Sequence, residues 1–413
     1  AVIPGFQAQF TYDWPEHSAL SEGQWFRIAT VWSGFHKVDV GLLSDLGLDP
    51  STINPNQVNL YGHGGDALPI DNAQPRALDL VPLPIEMIDD GDGQFDGNDH
   101  FVFMGDGPEA WAHDELTSKW RHTLNPWSDT AWYFLRVDDA VPVRIASAPN
   151  LAGDFDTVLT VSDFHVFHEL EQSTIIRSGR NFFGEVFDQN PMHTIPFQIP
   201  DITADPARIE VKLMGRSVGA SSPYTVSLGD SSWTITPAIT GSQSHVPQAQ
   251  VGSGDWTFIP ASDVVQVGIV LDAQAADAKG WLDYLRLTGS RQASMSGATQ
   301  QEFMRAELVA PGQIVEWSIA EAQSAQRVWD VTNPQSPEAI PFTVQGGQAR
   351  FRVEYDALRT FRVGTGSGFY TPIPIGPVQN TDVHGIPQVD LVIITPPALR
   401  EAADSLADIH FAE

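Results

Sequence analysis

Cysteine is absent from all 413 residues. This excludes a disulfide framework, a thiolate metal site and a thiol nucleophile within the chain. Basic side chains are scarce: 22 Lys and Arg stand against 52 Asp and Glu, a formal net charge of −30. A surface of that sign repels phosphate backbones, so nucleic acid is not an expected partner. Cations, basic proteins or a salt-adapted host fit it better. Long apolar runs are missing too. Nothing nears the roughly 18 residues of a membrane span, and the opening AVIPGFQAQF has neither a basic nor an apolar signal region. The expectation is a mature or trimmed soluble chain.

What is present points to β-structure. Thirty prolines and 34 glycines punctuate short segments, and 12 tryptophans with 22 phenylalanines demand extensive core or binding surface. A chain of this length holds roughly 2–3 domains. Between the breakers lie runs rich in β-branched and aromatic residues: QWFRIATVW (24–32), AWYFLRV (131–137), ARIEVKLMG (207–215), VVQVGIVL (264–271) and ARFRVEY (349–355). Several alternate apolar and polar residues, as half-buried strands do. VGLLSDLGL (40–48) predicts one short helix.

The pattern changes near the end. VDLVIIT (389–395) is continuously apolar, which predicts a strand covered on both faces. PPALREAADSLADIHFAE (396–413) follows, with Pro397 in a first turn and Leu399, Ala402, Ala403, Leu406 and Ile409 on one helical face. Strand then helix is the opening of a parallel α/β domain. The expected class is therefore mainly β. An N-terminal β-rich module (1–145) with a possible calcium loop precedes a jelly-roll-like β-sandwich (146–292). Further strands pack back on these modules (293–376), and a linker leads to the first βα unit of a truncated α/β domain (377–413). The linker reading begins at SGFYTPIPIGPVQNTDVHGIPQ (367–388), rich in proline and glycine.

Five motifs carry possible chemistry. DDGDGQFDGND (89–99) sets Asp90, Asp92, Asp96 and Asp99, with the Gln94 carbonyl, around one potential hard cation. Calcium takes 6–8 oxygens, and glycines 91, 93 and 97 permit tight winding. The spacing is not that of an EF-hand, and strand-like flanks make it a hairpin loop, so the expected ion is structural. The competing reading is a solvated Asp-Gly turn. GRSVG (215–219) matches a nucleophile elbow at Ser217, and HGGD (63–66) mimics an oxyanion loop. The elbow needs a helix after the turn, however, and ASSPYTVSLGD predicts turn then strand, so esterase chemistry is not expected.

DFHVFHELE (163–171) would join His165 and His168 at a metal on a helix. Its alternation is that of a strand, which separates them onto opposite faces. LYGHGGDALP (60–69) lacks the helix terminus of a phosphate cradle and reads as a tight glycine turn. SGRNFFGEVF (178–187) fits a buried ion pair involving Arg180 and Glu185, or an aromatic contact surface.

In order along the chain, these pieces resemble the pre-catalytic half of the gingipain-family (C25) cysteine peptidases that serve as sortase in type IX secretion. The residues carrying the resemblance begin with WFRIATVWSGFHKVDVGLLSDLGLDPSTINPNQVNLYGHGGDALP (25–69), then DHFVFMGDGPEAW after the acidic stretch and NPWSDTAWYFL (125–135). They continue through HELEQSTIIRSGRNFFGEVF (168–187), GWLDYLRL (280–287), VWDVTNP (328–334) and the segment from PVQNTDVHG to ADIH (377–410). Residues 190–275 resemble the family least.

The resemblance implies a secreted bacterial protein at the outer face of the outer membrane, with a caspase-like α/β peptidase domain after the β-rich part. It also implies an outer-membrane β-barrel partner and cargo proteins with C-terminal signal domains, which the family cleaves and joins to a surface lipopolysaccharide. The family's catalytic His and Cys belong to the peptidase domain. His384 and His410 precede the expected position, so no catalytic residue is assigned here, and the chain alone is expected to be inactive. The alternative is a stand-alone β-rich surface binding module without enzymatic activity.

Overall fold

The computed structural model describes residues 13–71, 73–177, 179, 181–243, 247–308 and 310–411. Among them, strands dominate and form seven sheets. The predicted runs become Trp25–Thr30, Ala131–Val137, Ala207–Arg216, Val264–Leu271 and Gln348–Glu354. The predicted short helix is Val40–Asp45, capped by the Asp39 carboxylate accepting from the Leu42 N–H.

Three apolar cores organise these sheets. In the first, Trp25–Thr30 pairs antiparallel with Ala131–Val137, which pairs in turn with Val58–Gly62. A second sheet, Gly34–Asp39 with His100–Gly105 and Glu86–Ile88, closes over it. Phe26, Leu43, Val58, Phe95, Phe101, Tyr133 and Leu135 fill the space between.

The second core is a sandwich. One face is Val161–Glu169, Lys279–Gln292, Ala207–Arg216 and Gln250–Phe258. The other is Met192–Gln198, Val264–Leu271, Tyr224–Leu228 and Ser231–Ile235. Along Ala207–Arg216 every second residue is buried, so Ile209, Val211 and Leu213 point inward between the sheets. At one edge Gly280 lets Tyr224 pass: a Cβ there would sit 1.6 Å from the phenol oxygen, which instead donates to the Met214 carbonyl at 3.0 Å.

The third core lies between two sheets centred on Ala325–Asp330 with Thr360–Thr365, and on Ile314–Ile319 with Gln348–Glu354. Trp317, Phe303, Phe351, Tyr355 and Phe361 are buried in it. It joins the first unit through Phe35, Val102, Met104, Trp329 and Val331, with Phe35 edge-on to Trp329 at 4.9 Å.

Two expectations need correction. The proline-rich stretch read as linker contains a strand, Ile373–Val378, on the edge of the N-terminal sheet. Pro374 and Pro377 are tolerated because that strand is last in its sheet, and a bulge interrupts its register opposite Arg27 and Ile28. Conversely, VDLVIIT (389–395) forms no strand. An extended segment becomes a strand only when a neighbour completes its hydrogen bonds, and no described residues supply one. Val392 and Ile394 are exposed. The helix after it, Arg400–Phe411, forms as expected, so the opening βα unit is present here only by its helix.

Candidate functional site

The predicted cation loop lies between paired strands Glu86–Ile88 and His100–Gly105. Phe95, fully buried, pins its middle to the first core. Gly91, Gly93 and Gly97 all have positive φ, as the tight winding requires. Asp90 and Asp92 each accept from the N–H two residues on, at 3.2 and 2.8 Å, and Asp99 accepts from the Asp96 N–H at 3.2 Å. The Asp96 carboxyl is raised by desolvation and by the charges of Asp92, Asp90 and Asp99. The carboxylates thus crowd one another. Gln94 is exposed beside them. Among the described residues, no three His, Asp or Glu side chains converge as a ready-made metal site.

The other motifs resolve as the strand patterns predict. Ser217 follows the strand Ala207–Arg216, is buried, and bonds to the Ala220 carbonyl at 2.5 Å and the Ser222 hydroxyl at 2.9 Å. No helix follows it, so it lacks the exposure and setting of a nucleophile. His165 and His168 lie on one strand, Val161–Glu169, and their contacts diverge. His168 Nε2 meets Glu185 Oε1 at 2.7 Å, whereas the His165 ring stacks on Trp111 with centroids 4.1 Å apart. Glu185 is therefore hydrogen-bonded to a histidine; Arg180 lies outside the described residues.

The most elaborate polar arrangement was missed from sequence. The hairpin Glu109–Asp114/Lys119–Leu124 lies against the outer face of the sandwich sheet. Arg286, buried beneath it, donates from Nε to His122 Nδ1 at 2.9 Å. Its Nη1 donates to the Trp120 carbonyl at 3.0 Å and to Glu210 Oε2 at 2.6 Å. Because Nδ1 accepts, the His122 proton sits on Nε2, which donates to Glu169 Oε2 at 2.6 Å. His122 also stacks on Phe167 at 4.1 Å and meets Tyr284 edge-on at 5.1 Å. Lys119 pairs with Asp255 at 2.7 Å, fastening the hairpin tip.

A faint signal did exist in GWLDYLRL. Leu285 and Leu287 face the sandwich core, so Arg286 must face outward, where only a covering element can bury it.

Around Arg286 the charges are paired and the aromatics stacked, and Ser217 is enclosed. No helix among the described residues is long and apolar enough to cross a membrane.

Comparison with known proteins agrees with this mainly β, multi-sheet architecture. Neither a family model nor a curated protein matches the sequence. Among solved structures, dimeric latent PorU from Porphyromonas gingivalis shares the fold at TM-score 0.79 and 20% identity. The alignment covers 95% of this chain and 36% of PorU, so the chain spans about a third of that protein's length. The mainly β architecture and the likeness seen in the residues are both met by this match. CBM35 from Cellvibrio japonicus Abf62 aligns over 31% of this chain and 97% of its own, with 14% identity and TM-score 0.22. A Paenibacillus sp. cycloisomaltooligosaccharide glucanotransferase aligns over 48% of this chain and 45% of its own, with 9% identity and TM-score 0.19. Both are too distant to bear on this fold.

Proposed function

We propose that the chain is the non-catalytic, β-rich portion of a type IX secretion sortase-like cysteine peptidase of the C25 family. The observation that carries this reading is the match over nearly the whole chain to about a third of PorU, a type IX secretion sortase. On this reading the complete protein removes C-terminal secretion signals from cargo and attaches the cargo to the cell surface. The location is the outer face of the outer membrane, beside a β-barrel partner. The Cys–His chemistry lies outside these residues, since none is cysteine. A second support is the exposed apolar run of Val389, Leu391, Val392 and Ile394 with Leu406, Ile409 and Phe411 on the helix. It fits a strand and helix that a peptidase domain would cover.

The division near residues 145 and 292, with the last segment from 377, belongs to the same proposal. So does a structural calcium ion held by Asp90, Asp92, Asp96, Asp99 and the Gln94 carbonyl. A cation would relieve the crowding of those carboxylates and staple the hairpin. The test is to assay a cargo bearing its C-terminal signal with the full-length protein and with this chain. Cleavage by the former alone supports the proposal. Failure of the full-length protein to process cargo contradicts it.

A further inference from the structure

Away from the acidic loop, all three units meet around a cavity of about 410 Å³. The first unit contributes Asp66, Asp106 and Glu109 with Met104, Trp111 and Trp120. The sandwich contributes His165, and the third unit Glu302 and Arg362. The HGGD turn makes this assembly possible. Gly64 has φ +85°, and a Cβ on it would fall 2.6 Å from Asp106 Oδ2. A Cβ on Gly65 would overlap the Gly107 carbonyl at 1.7 Å. Two glycines thus let one loop cross directly over Asp106 and bring Asp66 beside it.

The carboxylates are unequally served. Glu302 has a cation, Arg362, at 2.9 Å. Asp66, Asp106 and Glu109 have no hydrogen-bond or ion-pair partner at their carboxylates among the described residues; Asp106 and Glu109 are half-buried and Asp66 is exposed at the cavity mouth. Its main chain, by contrast, is fully engaged: the N–H donates to Tyr133 Oη at 2.7 Å and the carbonyl accepts from Thr30 at 2.5 Å. Electrostatic coupling runs from Asp66 to Asp106, from Asp106 to Glu302 and from Glu302 to Glu109. His165, enclosed in the same wall, has no partner at Nδ1. Carboxylates drawn partly out of water without donors are held at a cost that an arriving cation would relieve.

The shape of the cavity selects the visitor. The acids do not converge closely enough to ligate one metal ion directly. They are spread along a cavity walled by two indoles and a thioether, which suits a larger cation with an apolar stem. We propose that this cavity binds a primary ammonium group on an aliphatic stem, its charge received by Asp106 with Asp66 and Glu109 and its stem laid along Met104, Trp111 and Trp120. A lysine side chain and a free aliphatic amine share this chemistry. Burial, with Asp66 beside it, pushes the Asp106 carboxyl up to about 7, so binding near neutral pH also draws a proton off it. The proposal is independent of the peptidase reading.

The test uses the whole chain with ¹⁵N-labelled tryptophan, following the Trp111 and Trp120 indole N–H signals. Nα-acetyl-lysine methylamide and 1,5-diaminopentane are titrated separately, which distinguishes a peptide side chain from a free amine. Saturable shifts with either probe are expected, weakened about tenfold or more in D106N and in E109Q. Each variant is first shown to retain the wild-type far-UV spectrum and a cooperative melt, and the second variant covers a failure of the first. Three results would overturn the proposal: no saturation by either amine, undiminished binding in both folded variants, or the same shifts with calcium chloride alone.

Discussion

Arg286 and His122, 164 positions apart in the chain, meet at 2.9 Å with the guanidinium donating to the imidazole. That bond joins the sandwich to the hairpin covering it, and it fixes which histidine nitrogen faces Glu169. Removing the cation leaves Glu210 without the short charged hydrogen bond it accepts from Arg286. R286A should therefore cost about 3–5 kcal/mol, the usual loss when one member of a buried pair is deleted. Adding E210Q should return part of it. Urea unfolding of the single and double variants measures both; strict additivity would place the partners apart.

The Asp106 carboxyl gives a stability prediction with a definite sign. Its ordinary value is 3.8 and the fold raises it to about 7, chiefly by burial and then by Asp66. The folded chain holds a proton that the unfolded chain has already released. The contribution is present below about pH 4 and is lost as pH rises through 7. D106N cannot titrate there, so its stability relative to wild type should climb between about pH 4 and pH 8 and then level off. Burial lowers His36 and His165 to about 4, which works in the opposite direction, but both histidines are common to the two proteins and cancel in the difference. A pH-independent difference would count against the placement of Asp106.

Gly280 and Tyr224 should behave as a coupled pair. With 1.6 Å between a new Cβ and the phenol oxygen, G280A forces the ring or the strand to move, at a cost of about 1–3 kcal/mol or more. Y224F removes the clashing oxygen and loses its bond to Met214, roughly 1 kcal/mol. The double variant should be more stable than the two losses summed, and a thermodynamic cycle from denaturant curves reads that difference directly.

Calcium should raise the melting temperature at low salt, and chelator should lower it. D96N and D99N should lose most of the response because they remove charge from the crowded side of the loop. Equal melting temperatures in calcium and chelator would mean the aspartates serve only as turn formers.

Much of this fold was legible because its strands are half-buried: the alternation in Ala207–Arg216 or Gln348–Glu354 states both element and face. The helical tail was legible for the equivalent reason at period 3.6. VDLVIIT misled because an apolar run reports a need for cover without showing that cover is present. Ile373–Val378 was hidden by prolines, which local pattern reads as breaks although an edge strand accommodates them. Arg286, His122 and Asp106 were harder still. Each gains its meaning from a partner far off in sequence, and a charged residue within a strand gives no sign of what will cover it.

The central claim is most directly tested by the intact mass and C-terminal peptide map of the native protein from its source cells. The account predicts a chain that continues well beyond Glu413 into an α/β region containing a histidine and a cysteine. A native chain ending near Glu413 would contradict it and leave a β-rich surface module without a peptidase.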